Sequence, residues 1–190
     1  MLNRIRIYIN SLINPIARIF IKIGLTPNIA SIMGLIFSII ASVMIIKNKL
    51  IYASALIILS GFFDVIDGAI ARISNKASKF GSFFDSMIDR YADAIILSSI
   101  IFSSKCEILP GLIAMVGSLL VSYARAKGES LGVNMAGIGL AERAERLIII
   151  SIGLFLNMMN YAIILLAFLT HLTVLIRSYK AWSILRGEKY

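Results

Sequence analysis

Little of this chain is charged. Only 15% of its 190 residues are Asp, Glu, Lys or Arg, whereas a soluble domain carries about 25%. A water-soluble globular domain is thereby excluded, and the 59% hydrophobic content falls in long blocks, as an integral membrane protein requires. Cysteine occurs once, at Cys106, so no internal disulfide can form and the redox compartment stays open. Histidine also occurs once, at His171 in "LTHLTV", where a hydrogen-bonded helix histidine is expected. No His or Cys lies close in sequence to the acidic residues, so nothing suggests zinc. No cleavable signal peptide, internal repeat or low-complexity tail is evident. Acid is scarce too: 10 Asp and Glu face 19 Lys and Arg, for a net charge of +9. In a membrane protein that excess reads as cytoplasmic charge, and no nucleic-acid partner is expected.

What is present predicts an all-α integral membrane protein of one domain, residues 1–190. Residues 1–24, with Arg4, Arg6 and Arg18 among isoleucines, read as an N-terminal interfacial amphipathic helix. Residues 25–190 read as a bundle of six transmembrane helices, entered through "LTPN" with Pro27 near a helix start. The apolar segments run approximately 29–46, 50–70, 82–103, 110–126, 146–158 and 161–178. The fifth reaches about twenty residues only if its helix begins near Ala141. With a cytoplasmic N-terminus, only Lys47, Lys49 and Lys105 fall on the outer side, so the positive-inside rule puts both termini and the two longer loops in the cytoplasm.

One short stretch contradicts the apolar background. "DVIDGAIARISNKASKFGSFFDSMID" carries Asp64, Asp67, Asp85 and Asp89 between the inner ends of spans two and three. A carboxylate near a bilayer core costs several kcal/mol, roughly 2.5–3.5 on insertion scales. Asp64 and Asp67 are three apart, and Asp85 and Asp89 four apart, so on helices each pair shares a face. Gly68 and Gly81 permit close packing between them. Four converging carboxylates would repel one another, and hard divalent cations such as Mg²⁺, Mn²⁺ or Ca²⁺ relieve that repulsion. Two such ions can clamp a phosphate and stabilise both attacking and leaving oxygens. Pairing with Arg72, Lys76, Lys79 and Arg90 is the plainer explanation for any single aspartate. Asp93 continues the face one turn deeper and is expected to be structural, as a partner of Arg90.

The stretch reads Asp64-x2-Asp67-Gly68-x2-Ala71-Arg72-x8-Gly81-x3-Asp85-x3-Asp89. It resembles, at every fixed position, the signature of the CDP-alcohol phosphotransferases, the six-span enzymes that make phospholipid headgroups. The resemblance implies a cell-membrane enzyme of phospholipid biosynthesis, active as a homodimer with its site on the cytoplasmic side. It implies that Asp64, Asp67, Asp85 and Asp89 hold two Mg²⁺ or Mn²⁺ ions, with Asp89 also the catalytic base. Gly68, Ala71, Arg72, Ser78, Gly81 and Asp85 would then bind the CDP-lipid. An alcohol attacks the lipid-side phosphorus and CMP leaves.

A second polar cluster bears on the acceptor. Arg125 and Lys127 close span four in "SYARAKGES", Arg143 and Arg146 open span five in "AERAERL", and Arg177 lies near the inner end of span six. Snorkelling explains Lys180, Arg186 and Lys189, but it explains less well five basic groups at the inner ends of three successive spans. Facing the metals, they would form a pocket for a phosphate that the acceptor already carries. The runs "YARAKGE" and "ERAER" are similar to the inositol-phosphate-using branch of the family, the phosphatidylinositol-phosphate and archaetidylinositol-phosphate synthases. Arg125 and Lys127 stand here in the reverse of that branch's usual Lys-then-Arg order. Glycerol 3-phosphate is the competing acceptor, and nothing suggests a serine site. The non-enzyme alternative is a divalent-metal carrier, against which stand the cytoplasmic position of the aspartates and the lack of an inverted repeat.

Overall fold

The computed structural model describes residues 13–187, and among these every regular element is helical. Helix α1 takes residues 13–22; Arg4 and Arg6, on which the interfacial reading rested, and Lys189 lie outside the described residues. Six helices follow: α2 (Pro27–Ile46), α3 (Leu50–Ile73), α4 (Lys79–Phe102), α5 (Ile108–Ser130), α6 (Arg143–Phe155) and α7 (Met159–Leu185). The helices match the expected apolar segments in number and order, and two boundaries differ. Helix α5 runs through "AKGES" to Ser130, beyond the apolar segment that ends near residue 126. Helix α6 starts at Arg143, not near Ala141, and has only 13 residues. At 1.5 Å per residue it spans about 20 Å, against a hydrocarbon core of about 30 Å. Among the described residues α2, α3, α5 and α7 are long and apolar enough to cross a membrane. Helix α4 has the length, but its aspartates and basic residues break the apolar run.

Helix starts and stops follow local chemistry. Thr26 caps α2 by accepting from the Ile29 amide at 3.4 Å, and Pro27 follows it. Ser78 caps α4 by accepting from the Gly81 amide at 2.9 Å. Four helices end through a residue in the left-handed region: Asn48, Asn75, Ser104 and Asn157, with φ of 57°, 53°, 54° and 54°. In each case the next amide returns to the helix, as from Lys49 to the Met44 carbonyl at 2.8 Å and from Lys76 to Ala71 at 3.2 Å. These tight reversals hold the connections short; three of them set α3 beside α2, α5 beside α4 and α7 beside α6, whereas α3 and α4 each pack on α2.

Small residues set the packing. Helix α2 lies against α3 and α4, α5 against α7, and α6 between α3 and α7. Ser38 and Ser60 share a buried hydrogen bond of 2.8 Å between α2 and α3, and Ser54 donates to the Ser151 carbonyl at 2.9 Å between α3 and α6. An apolar core of Ile57, Ile96, Ile100, Leu154, Ile163 and Leu166 fills the bundle. Ile39, Ile40, Ile58 and Phe168 remain exposed around it, the surface that lipid chains require. Met159 is buried and Met158 exposed, so one packs and the other faces outward. His171 is held through Nδ1 to the Ala167 carbonyl at 3.1 Å, as expected.

The C-terminal ends of α3, α5 and α7 and the starts of α2, α4 and α6 gather at one end of the bundle. The aspartates lie there, and Lys47, Lys49 and Lys105 lie at the other, where Lys105 Nζ donates to Asn48 Oδ1 at 2.6 Å. Gly117 is where α5 meets α7: a side-chain carbon there would come within 2.8 Å of the His171 ring and closer still to Thr170. Gly117→Leu should therefore lower stability by about 1–3 kcal/mol, the cost of overpacking. Thermal unfolding in detergent measures this, and an unchanged midpoint would show that α5 and α7 do not pack as described.

Candidate active site

Asp64 and Asp67 lie within the last three turns of α3, and Asp85 and Asp89 about two and three turns into α4. The loop between the helices, with Asn75 in the left-handed region, returns the chain to the same end of the bundle, where α3 and α4 each pack on α2 and not on one another. Carboxylate oxygens of Asp64, Asp67 and Asp85 all come within 4.8 Å of one another. Asp85 Oδ1 is buried and has no hydrogen-bond partner. A buried carboxylate oxygen left so costs free energy unless a cation occupies its lone pairs. The donor set is all oxygen, which fits a hard divalent ion.

None of the expected basic partners from the same stretch pairs with these acids. The partner comes from α6: Arg143 Nη1 lies 2.6 Å from Asp64 Oδ1 and 2.7 Å from Asp89 Oδ1. Its Nε lies 3.8 Å from Asp93 Oδ1. Asp93 is structural as expected, but its partner is Arg146, through Nη2, and not Arg90, which bonds to the Ser86 carbonyl of its own helix. Arg146 also donates to the Ala141 carbonyl at 2.9 Å and is fully enclosed.

Two cavities adjoin the acids. The first, about 200 Å³, lies where α2, α3 and α4 meet. Gly68, Ala71, Ser78, Gly81 and Asp85 line it together with Asp67. Arg72 does not line it; its Nη1 lies over Gly68, 3.3 Å from where a side-chain carbon would stand. At Gly81 such a carbon would come 3.0 Å from Ser78 Oγ and 3.5 Å from Asn28 Oδ1, closing the mouth of the cavity. Sequence reasoning missed Asn28, Ser31 and Lys76 on this wall. Ser31 Oγ donates to Asp67 Oδ2 at 2.6 Å, fixing that carboxylate from α2.

The second cavity, about 90 Å³, lies among α4, α5, α6 and α7. Arg125, Arg143, Arg146 and Arg177 line it, with Asp89 and Glu142. Lys127 is exposed on α5 and is not among its lining residues. Arg177 is 1% exposed and donates to the carbonyls of Val121 at 2.6 Å and Ile138 at 2.9 Å. It thus ties α7 to α5 and to the loop before α6. The acids therefore stand between a cleft of small and polar residues and a pocket of arginines. Such an arrangement suits transfer between a large phosphate-bearing donor and a smaller anionic acceptor.

Comparison with known proteins gives the same direction. Residues 24–177 match the family model described as CDP-alcohol phosphatidyltransferase. The archaetidylinositol phosphate synthase of Methanothermobacter thermautotrophicus is 40% identical over 192 residues, covering 98% of this chain and 96% of that protein. The crystal structure of the Mycobacterium tuberculosis phosphatidylinositol phosphate synthase with CDP-DAG bound is 27% identical with a TM-score of 0.80, covering 91% of this chain and 94% of that one. The same enzyme in complex with manganese and citrate gives 27% and 0.81, with coverages of 90% and 89%.

The Asp93–Arg146 pair is buried, so removing one partner strands a charge. Arg146→Gln should destabilise the fold by about 3–5 kcal/mol. The double variant Asp93→Asn with Arg146→Gln should recover most of that loss. Thermal unfolding of the three proteins tests it, and equal midpoints for the single and double variants would contradict the pairing.

Proposed function

Because the chain belongs to the CDP-alcohol phosphatidyltransferase family, we propose that it transfers a lipid phosphate group from a CDP-lipid to a hydroxyl of inositol 1-phosphate, releasing CMP. The observation that carries this reading is the position of Asp89. It lines the arginine-rich cavity and shares Arg143 with Asp64 of the metal-type cluster, so it stands where donor and acceptor meet. The names of the relatives support inositol phosphate as acceptor, and the arginines supply groups that would recognise its phosphate.

Asp64, Asp67, Asp85 and Asp89 would hold two Mg²⁺ or Mn²⁺ ions. Bound there, the ions would neutralise the pyrophosphate of the donor and stabilise the charge that develops during transfer. Gly68, Ala71 and Gly81 leave room for the nucleotide, and Ser31 orients Asp67 toward it. Arg143 engages Oδ1 of Asp89, and Oδ2 takes the proton of the attacking hydroxyl. A bond forms between that oxygen and the lipid-side phosphorus, and the bond from phosphorus to the CMP oxygen breaks. Positioning and electrostatic stabilisation supply most of the acceleration, as in other phosphoryl transfers.

In this reading all six helices after α1 cross the cell membrane, with α4 and α6 shielded by their neighbours. The end bearing the aspartates faces the cytoplasm, because Lys47, Lys49 and Lys105 mark the opposite end. The enzyme acts as a homodimer, for which small-residue faces such as Ser98 and Ser103 suit helix contact.

The test is CMP release by purified protein given CDP-lipid and, separately, inositol 1-phosphate, glycerol 3-phosphate, serine and free inositol. Inositol 1-phosphate should be consumed fastest, and preference for glycerol 3-phosphate would reassign the acceptor. A chelator should abolish turnover, and Mg²⁺ or Mn²⁺ should restore it. Asp89→Asn should lower turnover by about 10²–10⁴, the contribution of a general base. Near-normal turnover in that variant would move the base elsewhere.

A further inference from the structure

The arginine-rich cavity already contains an anion of the chain's own. Glu142 Oε1 accepts from Arg177 Nη2 at 3.2 Å and from the Gly137 amide at 3.3 Å, and it lies 3.9 Å from Arg125 Nη1. Two guanidinium groups and a backbone amide thus converge on one carboxylate oxygen. That set of donors is what a phosphate oxygen requires.

We propose that Glu142 occupies the position of the acceptor's phosphate and is displaced by it, which makes Glu142 a specificity-determining residue. The inference rests on assigning this cavity to the acceptor. Exchange of Glu142 for a monoanion swaps one charge for another and gains little. A phosphate dianion brings a further charge and further oxygens to Arg125 and Arg177, so it displaces the carboxylate where weaker anions do not. A neutral polyol has nothing to offer the arginines in return.

Local structure permits the exchange. Glu142 is the residue before α6 and has an extended backbone, so its side chain can turn without unwinding the helix. Its neighbour Arg143 stays on Asp64 and Asp89. Arg125 retains Glu129 at 3.0 Å and is not left unpaired when Glu142 leaves. The loop residue Gly137 has φ of 70°, a conformation that favours glycine, and it turns its amide toward Glu142.

Calorimetric titration of the purified protein with inorganic phosphate and with free inositol tests the proposal, comparing wild type with Glu142→Gln. Inorganic phosphate should bind about tenfold tighter to the variant, the size of one competing charge-assisted contact. Free inositol should show no such gain. Equal or weaker phosphate binding in the variant would overturn the proposal, and so would an equal gain for inositol, which would indicate space and not charge. Glu142→Asp, which withdraws the carboxylate from Arg177, gives the same test if the Gln variant fails to fold, and there too phosphate should bind tighter. If phosphate affinity rises but inositol 1-phosphate is not a substrate, the acceptor assignment fails while the role of Glu142 stands.

Discussion

Arg143 joins three helices at one point. From the first residue of α6 it reaches Asp64 on α3 and Asp89 on α4, with Asp93 beside it. Aspartates held this close in a membrane-embedded bundle would repel each other and resist desolvation. The guanidinium offsets part of that cost, and the start of α6 adds its partial positive charge on the same side. Much else follows from this contact. Helix α6 must begin at the acids and not at the interface, which leaves only 13 residues before it turns into α7. Its apolar face then packs between α3 and α7, where Leu147, Ile150 and Leu154 enter the core.

Close helix approach is the second requirement. Ser31 can reach Asp67 only because α2 and α3 lie near one another, and the buried Ser38–Ser60 bond further along the same pair holds that spacing. Phe37 and Phe63, stacked with ring centroids 5.3 Å apart, fill the space beside it. On the other side Gly117 lets α5 meet α7, and there Arg177 binds carbonyls of α5 and of the following loop. The two cavities thus depend on two different helix pairs, with the acids and Arg143 between them.

Much of this was legible in the sequence. Apolar blocks gave the helices and their order, and the three- and four-residue spacing of the aspartates gave their shared face. Long-range partners were not legible. Asp93 was assigned to Arg90, a neighbour on its own helix, because local spacing carries no information about α6, whose Arg146 arrives from 53 residues away. Ser31 escaped notice for the same reason, since a serine in an apolar helix reads as a packing residue until its distant carboxylate is known. The extension of α5 through "AKGES" was hidden by a charged sequence that resembles a loop, although the polar groups simply leave the bundle on the last helical turn.

Burial separates Arg146 and Arg177 from ordinary interfacial charge, which sequence position alone could not do. Lys180 on α7 and Arg186 just beyond it are exposed, and Arg186 rests over the Trp182 ring at 4.9 Å, as a cation near a membrane surface does. Arg146 and Arg177 are 2% and 1% exposed, and each is held by a carboxylate and by backbone, one carbonyl for Arg146 and two for Arg177. A guanidinium loses too much hydration on burial for general topology to explain it, because any exposed lysine serves the positive-inside rule equally well. The two buried arginines do different work. Arg146 is committed to Asp93, and its charge supports the position of Arg143. Arg177 is held by backbone on two sides and by Glu142 on a third, a partner whose side chain is free to turn. Of the two, Arg177 is therefore the one whose charge can be transferred to an incoming anion without stranding a buried aspartate.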